Sequence, residues 1–238
     1  MQQEYIGISS LQKIAEILEQ ENPPTILLIK GRSSYEQSGA ATILTPLLQS
    51  YNVTHWNDFS NNPQWSEVLR GIKQWQATNP DLVIAVGGGS TIDIAKIITI
   101  LAEQPGDPDN YLERKDQLHP RKIPLIAIPT TSGTGSEATH FATMYKNKKK
   151  YSLTHSSLVP DYVIIDPSLT FSLPPYTTAC TGMDALAQAI ESYWSIHSTE
   201  ESKQYAKEAI TLALAHLENA VINPTPEARI GMSKAANL

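Results

Sequence analysis

Apolar positions along the chain recur with two spacings, and segments of the two kinds alternate. Leu11, Ile14, Ala15 and Leu18 follow a helical period behind Ser9 and Ser10. Pro23 and Pro24 interrupt that pattern. The continuous apolar run TILLIK comes next, as expected of a strand buried on both faces. YEQSGAATILTPLLQSY predicts a helix, NVTHW a strand, and PQWSEVLRGIKQWQA a helix with Trp65, Leu69, Ile72 and Trp75 on one side. DLVIAV, PLIAIP and DYVIID read as further buried strands, and STIDIAKIITILAEQ as a helix behind the first of these. Strands alternating with helical runs predict an α/β fold, a parallel sheet covered on both faces.

From about Tyr176 onward only helical patterns remain: TTACTGMDALAQAIESYWS, EESKQYAKEAITLALAHLENAV and PEARIGMSKAANL. Pro174-Pro175 is the predicted boundary between an α/β domain over 1–174 and an incomplete all-helical domain over 175–238. The last pattern reaches Leu238 without a cap or a glycine stop, which predicts a chain cut inside a helix. A helical unit of about 60 residues is small for closing its own core, so exposed apolar surface and self-association are expected of it.

The 238 residues are 41% hydrophobic and 18% charged, enough for a well-buried core. A net charge of −6 offers no basic excess for phosphodiester contacts, so a nucleic-acid partner is not expected. No apolar run approaches the roughly 20 residues of a membrane span, and MQQEYIGISS lacks the layout of a signal peptide. The single cysteine, Cys180, suits a reducing cytoplasm.

Two loops carry the chemistry. In VIAVGGGSTIDIAK, glycines follow a strand and open a helix. Backbone without Cβ atoms can approach a diphosphate, and the free N–H groups at a helix start attract the anion. Ser90 is expected as the N-cap of that helix. The spacing matches neither GxGxxG nor GxxxxGK[ST]. A second loop, IAIPTTSGTGSEAT, sets Thr130, Thr131, Ser132, Thr134 and Ser136 after another strand, stiffened by Pro129. Two such loops at strand C-termini fit the ligand crevice of an open α/β sheet.

GGGSTIDIAK, IPTTSGTGSE, DYVIIDPSLTFSLPP and GMDALAQAIESYW, in that order and spacing, resemble the iron-containing (group III) alcohol dehydrogenase family, and they span essentially the whole chain but part of the family's length. The resemblance implies a dinucleotide-binding α/β domain, an all-helical domain and a divalent metal, Fe or Zn, in the cleft between them. It implies that Gly87, Gly88, Gly89 and Ser90 meet the cofactor diphosphate and that Asp93 lies near the nicotinamide. Thr130, Thr131, Ser132 and Thr134 wrap the cofactor, and Lys150 points towards its ribose. Asp93, Lys150 and Gln188 are the residues this resemblance brings nearest to the chemistry. DALAQAIESYWS followed by STEESKQYA is similar to a branch of phosphonoacetaldehyde reductases. Family members form dimers and larger assemblies, so a homo-oligomer acting on a small alcohol or aldehyde is implied. A polyol (glycerol-type) dehydrogenase, a dehydroquinate-synthase-like lyase and a non-catalytic or truncated nucleotide-binding protein are the alternatives.

NAD sites place a carboxylate on the adenine ribose, and NADP sites replace it with cationic or small polar groups. After TILLI the chain runs KGRSSYEQSG, with no acid before Glu36. Gly31, Arg32 and Ser33 would welcome a 2′-phosphate, which favours NADP over NAD. In the family pattern an Asp is followed four residues later by His. Here Asp184 is followed by Gln188, on one face of a helix expected to start near Thr181. An amide oxygen binds Fe(II) or Zn(II) more weakly than imidazole. None of the six histidines fits the remaining ligand positions, so weak or absent metal binding is expected of this chain.

Overall fold

The computed structural model describes residues 2–238. The chain opens with strand β1 (Gln3–Ile6), a 3-10 turn (Ser10–Lys13), helix α1 (Ile14–Glu21) and β2 (Thr25–Lys30). Then come α2 (Ser34–Gln37), α3 (Ala40–Leu48), β3 (Asn52–Trp56), α4 (Trp65–Thr78) and β4 (Leu82–Gly87). These are followed by α5 (Gly89–Leu101), α6 (Pro108–Leu112) and β5 (Leu125–Pro129). A hairpin of β6 (Phe141–Lys146) and β7 (Lys149–Thr154) precedes β8 (Tyr162–Ile165). Three helices follow: α7 (Pro175–Trp194), α8 (Glu200–Ile222) and α9 (Pro226–Asn237).

The main sheet has the order β1-β8-β5-β4-β2-β3 with every neighbouring pair parallel. This is the α/β architecture that the alternating pattern predicts. The side chains of β2 show why its apolar run is unbroken. Leu27 and Ile29 pack into the core on one face with Val68, Ile72 and Ile98. Ile26 and Leu28 pack into the other with Leu11, Ile14 and Leu44. A strand buried on both faces has no position for a polar residue.

Several local features differ from expectation. The single helix expected over 35–51 is two helices, because Gly39 takes φ 84°, a left-handed conformation that ends α2 and caps α3. Strand β1 was not expected: QEYI has no distinctive pattern and becomes a strand by pairing with β8, 159 positions away at Gln3 and Tyr162. The β6–β7 hairpin was also not expected as strands. Its turn at Asn147 and Lys148 has both residues at positive φ, as a two-residue hairpin turn requires.

Helices α7, α8 and α9 pack on one another around Ala213, Ala220, Met232 and Ala235. Helix α7 begins at Pro175, not near Thr181, with proline in the first turn where its missing N–H costs nothing. Trp194, Ile196, Leu214 and Ile222 lie on the surface of this helical part and are 68–92% exposed. Among the described residues no helix is long and apolar enough to cross a membrane.

Candidate active site

The sheet order reverses between β2 and β4. From β2 the chain crosses to β3 on one side, then returns past β2 to β4 on the other. Such a switch point opens a crevice beyond the strands' C-terminal ends. Three loops meet there. The Gly31 N–H donates to the Val86 carbonyl at 3.0 Å, and the Thr130 N–H donates to the Gly87 carbonyl at 2.9 Å. The loops after β2, β4 and β5 are thereby stitched side by side.

At the glycine turn the N-cap of α5 is Gly88, not Ser90, since the Thr91 and Ile92 N–H groups both return to the Gly88 carbonyl. Ser90 is inside the first turn, where its hydroxyl accepts from the Asn62 N–H at 3.2 Å. The N–H groups of Gly88, Gly89 and Ser90 have no acceptor among the described residues, and all three residues are half-buried. They are the orphan donors of a helix start, with the positive end of its dipole behind them. Glycine is needed for contact at this point: a Cβ on Gly89 would stand 2.5 Å from the Thr134 hydroxyl oxygen. Gly88 is looser, its nearest contact being the Thr131 side chain at 3.4 Å. Thr131 and Thr134 therefore flank the turn, while Thr130 and Ser132 are buried behind them. The Thr130 hydroxyl is buried with no partner among the described residues.

Helix α5 grips the second loop with two residues one turn apart. The Asp93 carboxylate accepts from the Ser136 hydroxyl, from the Thr143 N–H at 3.0 Å and from the Thr143 hydroxyl at 2.9 Å. Lys96, fully buried, donates to the carbonyls of Ser136 (2.7 Å), Thr139 (2.7 Å) and Phe141 (2.8 Å) and to the Thr139 hydroxyl (3.1 Å). Burial lowers its ammonium pKa to about 8, against the pull of Asp93 and Glu137. Glu137, also buried, is pushed up to about 7 by desolvation. Neither Lys96 nor Glu137 was singled out from the sequence. The available signal was a lysine inside an otherwise apolar helix, IDIAKIITI.

Beyond β2, Arg32 and Ser33 are exposed, and Gly31 is buried. The Arg32 guanidinium donates to the Asn57 carbonyl at 3.3 Å and lies 3.7 Å from the Asp58 carboxylate. Glu36 pairs with Lys30 at 2.8 Å, so the first acid after the strand is turned towards a cation of its own. Lys150 is exposed on β7 opposite Tyr145. Alternation puts it on the same face of the hairpin as Thr143, whose side chain reaches Asp93.

The helical part approaches through the second loop. A Cβ on Gly133 would stand 2.8 Å from the Thr181 carbonyl of α7. Beyond that contact lies a cavity of about 320 Å³, lined by Thr134, Thr139, Ala185, Gln188, Ser192 and Asn237, among others. Thr134 thus touches the glycine turn on one side and this cavity on the other. Gln188 lines the cavity; Asp184, one turn earlier, is exposed and outside its lining. Among the described residues no three His, Cys, Asp or Glu side chains come together. One carboxylate and one amide oxygen fall short of the donor set that Fe(II) or Zn(II) requires. His197 is exposed and His216 packs on Gly231, so neither adds to it. His155 accepts through Nδ1 from the Ser157 N–H, at the open end of the hairpin.

The model of the iron-containing alcohol dehydrogenase family matches residues 2–167. A long-chain-alcohol dehydrogenase of Geobacillus thermodenitrificans is 34% identical over 238 residues, covering 98% of this chain and 60% of that protein. A sulfoacetaldehyde reductase of Bifidobacterium kashiwanohense, solved in complex with NAD+, superposes with a TM-score of 0.92 at 31% identity, over 99% of this chain and 63% of that one. An NADH-dependent butanol dehydrogenase of Thermotoga maritima gives a TM-score of 0.91 at 26% identity, over 99% of this chain and 60% of that one. The chain thus spans about three fifths of the length of these relatives. By the extent of the family match and the identity to its relatives, this chain belongs to the iron-containing alcohol dehydrogenase family.

Proposed function

We propose that the chain forms the dinucleotide-binding part and the first substrate-lobe helices of an NAD(P)-dependent oxidoreductase that interconverts a primary alcohol and an aldehyde. The observation that carries this reading is the set of unpartnered amides at Gly88, Gly89 and Ser90, set at the switch point of the sheet and flanked by Thr131 and Thr134. A diphosphate supplies the acceptors those donors lack. When bound, a nicotinamide dinucleotide supplies hydride transfer at its C4.

The protein's own residues orient and enclose. Asp93 spends its acceptors on Ser136 and Thr143, so it fixes the loop wall beside the nicotinamide and does not serve as a free base. Thr131 and Thr134, which flank the turn, offer this loop's polar contacts to the cofactor, with Thr130 buried behind them. The Lys150 ammonium faces the ribose from the hairpin. Gln188 lines the cavity next to Thr134 and donates its amide N–H to the substrate oxygen. No step is assigned to a metal, because Asp184 and Gln188 alone do not make its site. A 2′-phosphate preference rests on Arg32 and Ser33, since Glu36 is occupied by Lys30 and no carboxylate directly follows β2.

Fluorescence titration of NADPH and NADH against the full-length polypeptide tests this reading. Saturable binding of both, tighter for NADPH, is expected, with the preference lost in Arg32→Ala. If neither nucleotide gives a saturable signal up to millimolar concentration, the dinucleotide site is refuted.

A further inference from the structure

Arg229 of α9 is 3% exposed, and its pKa is depressed by burial with no opposing charge to restore it. A guanidinium in that position is held by neutral acceptors alone. Its Nη1 donates to the Thr170 carbonyl at 2.9 Å and to the Thr178 hydroxyl at 2.7 Å, and its Nη2 donates to the Leu173 carbonyl at 3.0 Å. These acceptors share one feature: they lie on the single connection from the sheet into α7. Thr170 ends the 3-10 turn after β8, Leu173 is in the linker, and Thr178 is in the first turn of α7. Thr178 passes the constraint on, donating from the same hydroxyl to the Pro174 carbonyl at 3.0 Å.

The lever arm is what makes this clasp matter. Gln188 lies about 15 Å along α7 from Thr178, ten residues at about 1.5 Å each. A tilt of roughly 10° about the clasp would carry Gln188 about 2.6 Å, whereas misplacement by about 1 Å is enough to cost a reaction some 100-fold. The three loops proposed to hold the dinucleotide are fixed mainly by the bonds of Gly31, Thr130, Asp93 and Lys96; α9 touches them through Ser233, one turn beyond Arg229, whose hydroxyl lies 2.9 Å from that of Ser132. We infer that Arg229 is a positioning residue for hydride transfer: it sets the angle of α7, and so the place of Gln188, while leaving the cofactor site intact. This inference rests on the proposed function above.

The test uses the full-length polypeptide with Arg229→Lys, Arg229→Gln and the milder Thr178→Val, which removes one acceptor. NADPH affinity is read by fluorescence and turnover with propanal. A readout independent of turnover is the part of the energy transfer to bound NADPH that disappears in Trp194→Phe, since Trp194 ends α7 and is exposed. The expected result is NADPH affinity within about twofold of wild type, kcat lower by about tenfold or more, and altered Trp194 transfer, graded from Thr178→Val to Arg229→Gln. Unchanged Trp194 transfer in all folded variants overturns the inference. So does a fall in cofactor affinity by the same factor as kcat, which would make Arg229 a support for the whole fold. Absence of cofactor binding in the wild type would instead sink the proposed function, and this inference with it.

Discussion

Replacing Lys96 with methionine tests how the loop proposed to hold the cofactor is fixed. Methionine is close in shape and removes the ammonium that bonds to the carbonyls of Ser136, Thr139 and Phe141 at 2.7–2.8 Å. Stranding the buried Ser136 carbonyl and the part-buried Thr139 and Phe141 carbonyls costs about 1–3 kcal/mol each, the last two at the low end. Removing a buried cation returns several kcal/mol of desolvation. The difference is a net loss of about 2–4 kcal/mol, or roughly 4–16 °C in Tm for a chain of this size. The loss has a signed pH dependence. The folded Lys96 pKa, about 8, lies below its ordinary 10.5, so the unfolded chain holds the proton more tightly between those values. The burial penalty is complete below pH 8 and is relieved as pH rises towards 10.5, so wild type gains stability there and Lys96→Met does not. Urea denaturation of both proteins at pH 7 and pH 9.5, with NADPH titration at pH 7, measures this. The variant should be less stable, the gap should widen at pH 9.5, and NADPH affinity should fall as the loop over 136–141 loosens. A variant as stable as wild type at both pH values, with unchanged NADPH affinity, would refute the idea that this ammonium holds the loop.

Gly89→Ala should reduce NADPH affinity by tenfold or more, about 1.4 kcal/mol, because its Cβ would stand 2.5 Å from the Thr134 oxygen; Gly88→Ala, with 3.4 Å of room, should cost far less. Equal losses in titrations of the two would separate the glycines' role from the Thr134 contact. Glu137→Gln should flatten the stability profile between pH 4.5 and pH 7. The folded carboxyl pKa is raised to about 7, so its contribution is full below 4.5 and is lost as pH rises through 7. At pH 8 the glutamine variant should be the more stable in urea, by at most about 3 kcal/mol. Gln188→Ala should lower kcat with aldehydes while leaving NADPH affinity within about twofold, since Gln188 lines the cavity and not the glycine turn.

What the sequence disclosed and what it hid follow from the range of the forces involved. β2, β4, β5 and β8 announce themselves because burial on both faces leaves an unbroken apolar run, and the glycine turn does so because close backbone approach admits one residue type. β1 left no mark, since QEYI owes its strand to β8 and is largely exposed. The hairpin had a readable period: Ala142 and Met144 are buried in the core with Leu153. The charged KNKKK run at 146–150 interrupts that period at the turn. Serine is the commoner helix cap, but at the start of α5 Gly88 takes that place, because two backbone amides return to its carbonyl. Lys96 and Arg229 show the deeper limit. Each is a cation among apolar neighbours, and composition alone would put both at the surface. Five of their seven acceptors are backbone carbonyls, 40 to 59 positions away, and carbonyls are the same in every residue. A carboxylate partner leaves a trace in the sequence; a carbonyl partner leaves none. The positions of the loop after β5 and of α7 are therefore fixed by contacts that sequence pattern cannot carry, even where the pattern marks the loop and the helix.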